Sequence, residues 1–505
     1  MPRICLCILL LLLLPLCGKE VQVRILQTSD LHGNLLGDGI SPTTVLQLAS
    51  VVRQASAEAE GGRAILIDTG DTIQGSLASR LSNGEAMAVF VAALGYDAWI
   101  PGNHDFDFGG DVFLRTALAL RKIVLCGNLS PASARPGYYP AWRIFKRNGA
   151  RVAVIGVTAS YLPHWFLGFE KDFRVEPAAE TIARVLPEVL KAKPDAIVLA
   201  AHQGWLEKDL RDVNEIRSIA KRFPEIDLVL GAHTHRAFPG RSIGPSTWYV
   251  QPGAHGEFVA QVDMRIDTEA HKVIEHASRL LKVPAETPVD QRVAAALAPY
   301  LAKAMTEAAE VVSPPLAAAI PAGGRPGVSC PMSELFCEAI ADATKCDAVI
   351  HGTLSRVGLA AGEEVTRGRL FEVVPYENTI VTCLVTAEEL AQIVSEQWEQ
   401  RKSSAYCGLW GAVAEFHGKD AVIVSIGRNL SPPVEGKRYK LAMNSHTAAG
   451  SGRFNVLTRI LSQAECQTTD TGISTREAVA RWLQSHPGET VEPRVWMKAA
   501  GKTSR

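Results

Sequence analysis

The sequence predicts an α/β protein of two successive units, and three observations carry that prediction. From Val21 to about residue 265, short apolar runs (VRIL, AILID, AWI, IVLCG, RVAVIGV, AIVLAAH, DLVLGAH, TWYVQPG) alternate with longer amphipathic stretches. Strands alternating with helices form α/β domains. Several of these runs end directly in clusters of Asp, Asn, His and Gly, and α/β sheets place their sites beyond the carboxyl ends of strands. Finally, the stretch VPAETPVDQRVAAALAPYLAKAMTEA interrupts the pattern with prolines and an Ala-rich helical period, after which helix and strand patterns resume.

Taken in order, the chain begins with MPRICLCILLLLLLPLCGKE. One Arg precedes an apolar run from Ile4 to Leu16, followed by small and charged residues. The run is short for a membrane span and fits the core of a signal peptide over residues 1–18. Export to a periplasm or the cell exterior is therefore expected, and Cys17 offers a weak match to a lipoprotein acceptor. No other stretch is long and apolar enough to span a bilayer, so no transmembrane segment is expected in the mature chain.

Residues 20–282 form the first predicted domain. Within it, Val45, Leu48, Val51 and Val52 recur at helical spacing between Ser41 and Ala59. Residues 283–310 read as a linker and connecting helix, and residues 311–495 as a second, smaller α/β domain. A length of 505 residues accommodates about two to four domains. The net charge of −1 gives no support to binding of polymeric nucleic acid, which needs a basic surface field. Seven cysteines follow the leader: Cys126, Cys330, Cys337, Cys346, Cys383, Cys407 and Cys466. Some could pair in an oxidising compartment, with a connectivity that sequence does not supply. Asn128 and Asn429 match the glycosylation acceptor pattern. Oligomeric state is not readable from sequence.

The chemistry lies in five strand ends: TSDLHGN (28–34), DTGDTIQGS (68–76), PGNHDFD (101–107), AAHQGW (200–205) and GAHTHR (231–236). Each carries a Gly or small residue that lets the backbone turn and bring a side chain to a focus. Asp-x-His and His-x-His have the spacing that puts both side chains on one face of an extended segment. Imidazole, carboxylate and amide oxygen together suit Zn, Mn, Fe or Co. The candidates are Asp30, His32, Asp71, Asn103, His202, His233 and His235. They are too many for one tetrahedral ion and suit two ions with a bridging carboxylate, which can hold a hydroxide and clamp a phosphoryl group in line.

In this order the clusters resemble the calcineurin-like metallophosphoesterases. SDLHGN, DTGDTIQGS and GNHDFDFG resemble the 5′-nucleotidase branch in particular, which includes ecto-5′-nucleotidases, UDP-sugar hydrolases and 2′,3′-cyclic-nucleotide phosphodiesterases. The resemblance implies a four-layer α/β/β/α sandwich for the first domain. It implies one ion on Asp30, His32, Asp71 and His235, and a second on Asp71, Asn103, His202 and His233. It leaves His104 free of metal, paired with Asp107 as the dyad that serves the leaving oxygen. That role matches the chemistry: a ribose alkoxide leaves poorly, and an imidazole oriented by a carboxylate is a suitable proton source. Asp105 is expected to support the ligands.

The second half resembles the branch's C-terminal, substrate-recognising domain. By that resemblance Arg356 and Arg325 bind phosphate, while Tyr376, Asn378 and His446 meet the base. His351, Thr353, Leu354 and Gly452 depart from the relatives' pattern, so the base preference is open. The expected function is two-metal hydrolysis of nucleotide phosphate monoesters by in-line attack of metal-bound hydroxide. The alternatives are a 2′,3′-cyclic-nucleotide phosphodiesterase, a UDP-sugar pyrophosphatase acting on nucleotide-sugars, or a non-catalytic nucleotide-binding surface protein.

Overall fold

Successive residues of a strand face opposite sides of its sheet, and the N-terminal domain is built from that alternation. In Glu20–Thr28, Val23 and Ile25 face one core while Leu26 faces another; in Ala150–Val157, Val152 and Val154 face the first core while Ala153 and Ile155 face a third. The computed structural model describes residues 19–37, 43–135, 137–209, 213–403 and 405–500. The apolar leader, with Cys17, lies outside the described residues.

Two sheets stack through the shared core. One has five strands in the order Lys272–Lys282, Phe258–Asp267, Glu20–Thr28, Ile65–Asp68 and Ala98–Trp99. The other has six, in the order Ala237–Ser242, Trp248–Pro252, Leu228–Leu230, Ala196–Ala201, Ala150–Val157 and Trp142–Arg147. Helices Val45–Ala57, Glu85–Leu94, Gly110–Ala119 and Gln291–Ala308 pack on the outer face of the first sheet, and Ala178–Lys191 and Ile216–Arg222 on the outer face of the second. The result is the expected four-layer α/β/β/α sandwich. Each fully buried Val, Leu or Ile contributes about 1.5–3 kcal/mol, so three continuous cores hold the sheets in a fixed stack.

Register then sets the site. Thr28 pairs with Asp68 and Asp68 with Trp99 in parallel. Val157 pairs with Ala201 and Ala200 with Leu230, also in parallel. The strands of both sheets therefore end at one edge, and the chain leaves each end into one of the polar clusters.

The connecting helix Gln291–Ala308 is capped by the Asp290 side chain at Val293 N–H, and buries Val293, Leu297 and Ala304 against the N-terminal domain. The C-terminal domain has a four-stranded sheet in the order Ala348–Ile350, Tyr439–Asn444, Thr379–Val385 and Thr469–Ser474, and a three-stranded one formed by Asp420–Ile426, Ala412–His417 and Met497–Ala499. Its helix Ala387–Glu399 starts with a capping box between Thr386 and Glu389. The seven cysteines are all unpaired and buried. Asn128 is also buried, with its amide bonded to the carbonyls of Thr158 and Glu176, a placement unsuited to glycosylation. No helix among the described residues is long and apolar enough to cross a membrane.

Candidate metal centre and active site

The five strand ends converge. Ligand atoms of Asp30, His32, Asp71 and His235 lie within 4.8 Å of one another, as do those of Asp71, His202 and His233. Asp71 belongs to both groups. Asn103 joins the second, its Oδ1 3.1 Å from Nε2 of His202. All seven ligand candidates are thus brought to one place.

The backbone here is unusual. Asp30, His32, Asp71, His233 and His235 all have φ between 48° and 70°, a left-handed conformation that costs a non-glycine residue about 1–3 kcal/mol. Gly102 has a different constraint: a Cβ there would sit 2.2 Å from Asp71 Oδ1 and 2.6 Å from His202 Cε1. Its bare Cα makes room for two ligand candidates.

Hydrogen bonds fix the orientations. His202 Nδ1 lies 2.7 Å from the Thr69 carbonyl, which makes Nδ1 a donor and aims Nε2 at the site. Burial opposes protonation there, but Asp71 outweighs it and raises the imidazole to about 9. The N–H of His104 donates to Asp71 Oδ1 at 2.7 Å, and that of His233 donates to both Asp30 oxygens at 3.1 and 3.2 Å. The Asp105 carboxylate accepts the N–H groups of Gly102, Asp71, Thr72 and Ile73 at 2.7–3.1 Å. It ties two ligand-bearing loops together. Asp68 does the same at the next strand, accepting from the hydroxyls of Thr28 and Thr72 and the N–H of Gly70.

The donor set fits divalent cations. Nε2 of His32 and Nε2 of His235 face each other at 3.0 Å, and burial holds both imidazoles below their ordinary pKa, His235 at about 4. His233 is likewise lowered to about 3, by burial and then by His202. Neutral imidazoles are the form that ligates metal. Burial pushes the Asp30 carboxyl up to about 8, with Asp71 adding to the effect. At Asp71 burial also opposes ionisation, but the imidazoles of His202, His104 and His32 outweigh it and hold the carboxyl well below its usual range. Its buried Oδ2 accepts no hydrogen bond among the described residues, although His202 Nε2 lies 3.3 Å away. A cation satisfies both carboxylates at once.

His104 belongs to neither ligand group, although its ring meets that of His32 edge-on at 5.3 Å. Its Nδ1 lies 3.0 Å from Asp107 Oδ2, and its ring remains 21% exposed toward a cavity. Burial opposes protonation, but the carboxylates of Asp107 and Asp71 outweigh it and raise the imidazole to about 9. The ring of Tyr376, from the C-terminal domain, stacks on it.

That cavity, about 830 Å³, runs from Asn103, His104 and Asp107 to Arg356, Tyr376, Asn378 and His446. Four of the five substrate-binding candidates thus face the dyad. Burial lowers His446 to about 4, leaving it a neutral ring. Arg325 does not join them; it is exposed and its guanidinium lies 5.7 Å from the Trp398 ring centroid. His351, at one of the departures, is fully buried and packs against Phe336.

Two features escaped sequence reading. His255 stacks on His32 (centroids 5.2 Å, planes 29° apart) and meets His235 edge-on at 5.8 Å. A sixth strand end, QPGAHG, carries it, and a His between glycines there is the only sequence signal. Trp165 lies 5.0 Å from the His233 ring, on a loop with no polar cluster to mark it.

Residues 23–237 match the calcineurin-like phosphoesterase family, and residues 314–459 match the 5′-nucleotidase C-terminal domain. The chain belongs to the calcineurin-like phosphoesterases that carry this second domain. It is a hydrolase of phosphate esters. Protein UshA of Escherichia coli is 23% identical over 484 residues, which span 86% of each chain. Endonuclease YhcR of Bacillus subtilis is 25% identical over 408 residues, 75% of this chain and 33% of its own length. Among solved structures, a putative 5′-nucleotidase from Staphylococcus aureus shares the fold, with a TM-score of 0.79 at 19% identity, covering 95% of this phosphoesterase and 100% of its own chain.

Proposed function

We propose that this phosphoesterase is an exported 5′-nucleotidase, removing phosphate from nucleotide monoesters at a two-metal site. Asp30, His32, Asp71 and His235 would hold one divalent ion, and Asp71, Asn103, His202 and His233 the other. Bound there, two such ions neutralise phosphoryl charge and activate water. Zn, Mn, Co or Fe suits the donor set. The protein's own groups do the rest. Asp105 and Asp68 keep the ligand loops in register. His104, oriented by Asp107, donates a proton to the leaving ribose oxygen. Arg356 offers a fixed fork of donors to the phosphate, and Tyr376 and His446 offer ring faces to the base. Export rests on the apolar leader of residues 1–18.

The observation that carries this reading is the division of labour at Asn103-His104. Asn103 Oδ1 joins the ligand cluster, while the His104 ring, edge-on to His32 at 5.3 Å, pairs with Asp107 through Nδ1 and opens on the cavity that Tyr376 and His446 line. The test is hydrolysis of AMP, UMP, UDP-glucose, 2′,3′-cyclic AMP and bis-p-nitrophenyl phosphate with added Mn, Co or Zn. Preference for the 5′-monoesters supports the reading, and absence of metal-dependent release from every ester ends it.

A second reading has its own support. Another cavity, about 870 Å³, adjoins His32, His235 and His255 and shares Arg356 and Tyr376 with the first. A substrate with groups on both sides of its scissile phosphorus, such as a nucleotide-sugar, would use both. Preference for UDP-glucose in the same panel selects it.

A further inference from the structure

The nucleotide reading places base recognition in the C-terminal domain alone. The cavity does not respect that boundary. Trp165, Phe166 and Leu167, all from the N-terminal domain, line it together with Tyr376 and His446. They sit on the loop that follows strand Ala150–Val157.

Three observations give this loop a role in binding. The leaving group of an ester whose oxygen sits at His104 must extend into this cavity, because the cavity starts at the dyad. The loop leaves apolar surface on it: Leu167 is 49% exposed and Phe166 is half-buried. It is also docked to the segment that carries His446, since the Tyr161 hydroxyl donates to the Gly450 carbonyl at 3.4 Å. Phe166 is held from behind by Phe106 and Phe169, with centroids 6.3 and 6.1 Å away. A braced aromatic ring beside an open aliphatic side chain forms a flat apolar wall, which suits the face of a planar heteroaromatic ring.

We infer that Phe166 and Leu167 form an N-terminal-domain wall of the base subsite, so that the base of a nucleotide is held between the two domains. The inference rests on the nucleotide reading. It makes the loop a determinant of specificity, while the metal centre and the dyad determine rate.

The experiment compares wild type, Phe166→Ala, Phe166→Tyr and Leu167→Ala. KM and kcat are measured for AMP and for glycerol 3-phosphate, which has the ester without the base. Adenosine binding to the EDTA-treated protein is followed by calorimetry, so one readout is independent of metal. Loss of a stacking or apolar contact to a base is worth about 1 kcal/mol or more, so the AMP-over-glycerol-phosphate ratio of kcat/KM should fall about five- to tenfold through KM in both Ala variants. Adenosine affinity should fall in parallel, and Phe166→Tyr should restore both. Leu167→Ala changes an exposed side chain and keeps the test valid if Phe166→Ala does not fold. A wild-type preference for AMP that neither Ala variant changes overturns the loop assignment alone. A wild type that shows no preference for AMP and binds no adenosine overturns the nucleotide reading and the inference with it.

Discussion

The ring of Tyr376 stacks on the imidazole of His104, with centroids 5.3 Å apart and planes 26° apart. The two residues belong to different domains, and a chain of contacts fixes the distance between them. Gln74 donates to the Pro375 carbonyl at 2.7 Å, and Arg80 bonds Glu377 at 3.0 Å. From the other side, buried Arg476 bonds Glu377 at 2.7 Å and the carbonyls of Val374 and Tyr376 at 2.8 and 3.2 Å. The Tyr376 loop is thus pinned from both domains.

A ring face over a protonated imidazole is worth about 0.5–1 kcal/mol. Tyr376→Ala should therefore lower kcat/KM about two- to fivefold even for glycerol 3-phosphate, which has no base to stack, with each factor of ten corresponding to about 1.4 kcal/mol. Tyr376→Phe keeps the ring and should stay near wild type. Equal losses in both variants would assign the effect to the hydroxyl instead.

The His104–Asp107 contact makes a separable prediction. His104→Ala should retain two ions per chain by metal analysis while turnover falls about 10²–10⁴-fold, the range for loss of a positioned proton donor. Asp107→Asn removes the carboxylate that favours the imidazolium. The His104 pKa should fall, the protonated fraction at any given pH should fall with it, and the alkaline limb of kcat should move to lower pH. Loss of metal from His104→Ala would contradict its place outside the ligand set.

Much of this was legible before the fold. The short apolar runs such as VRIL and RVAVIGV predict strands, and the polar clusters after the runs predict where the strands end. Parallel register then brings those ends together, so the ligand candidates could be collected without knowing a single distance. What stayed hidden depends on tertiary packing. His255 reads as a turn residue because its neighbours are Gly and Ala, and only the approach of His32 gives it meaning. The loop of Phe166 has no polar signature; its role depends on Tyr376 and His446, more than 200 residues away in sequence. Arg325 failed as a cavity residue because its turn, closed by a bond from its N–H to Ser329, directs it to Trp398. Sequence left open whether some cysteines pair, and in the fold the seven after the leader are separate buried thiols.

A pH dependence of stability follows from a group far from the metals. Burial pushes the Glu334 carboxyl from its ordinary 4.5 up to about 7, with Glu338 adding to the rise while Trp496 opposes it. Trp496 Nε1 donates to both carboxylate oxygens at 3.2 and 3.1 Å. Between these two pH values the folded chain keeps a proton that the unfolded chain releases, so stability falls as pH rises through the window. Glu334→Gln cannot ionise and retains an acceptor for Trp496. Its melting temperature should exceed that of wild type more at about pH 8 than at about pH 5. A constant gap between the two proteins would show that Glu334 is already ionised in the fold.

Gly102 gives the sharpest test of the metal centre, because the change adds one methyl group and removes no ligand. Nothing about Gly102 in isolation demands glycine: its φ is not among the left-handed ones. The demand comes from its neighbours, since a Cβ would meet the Asp71 carboxylate, the Asp71 N–H and the His202 ring within 2.2–2.6 Å. None of these can yield independently. Asp71 is shared by both ligand groups, and His202 is held by the Thr69 carbonyl. Gly102→Ala should therefore displace the bridging carboxylate, reduce bound metal below two ions per chain and abolish ester hydrolysis. Metal that binds only the folded protein stabilises it by about 2.7 kcal/mol at a hundredfold excess over Kd, so the variant should also lose most of the rise in melting temperature that added Mn or Zn gives the wild type. Gly109→Ala is the control, because a Cβ there meets nothing within 4 Å. Its φ of 91° strains the backbone, so it should lower melting temperature while leaving metal content intact. If Gly102→Ala binds two ions and turns over normally, Asp71 does not bridge them in the arrangement described.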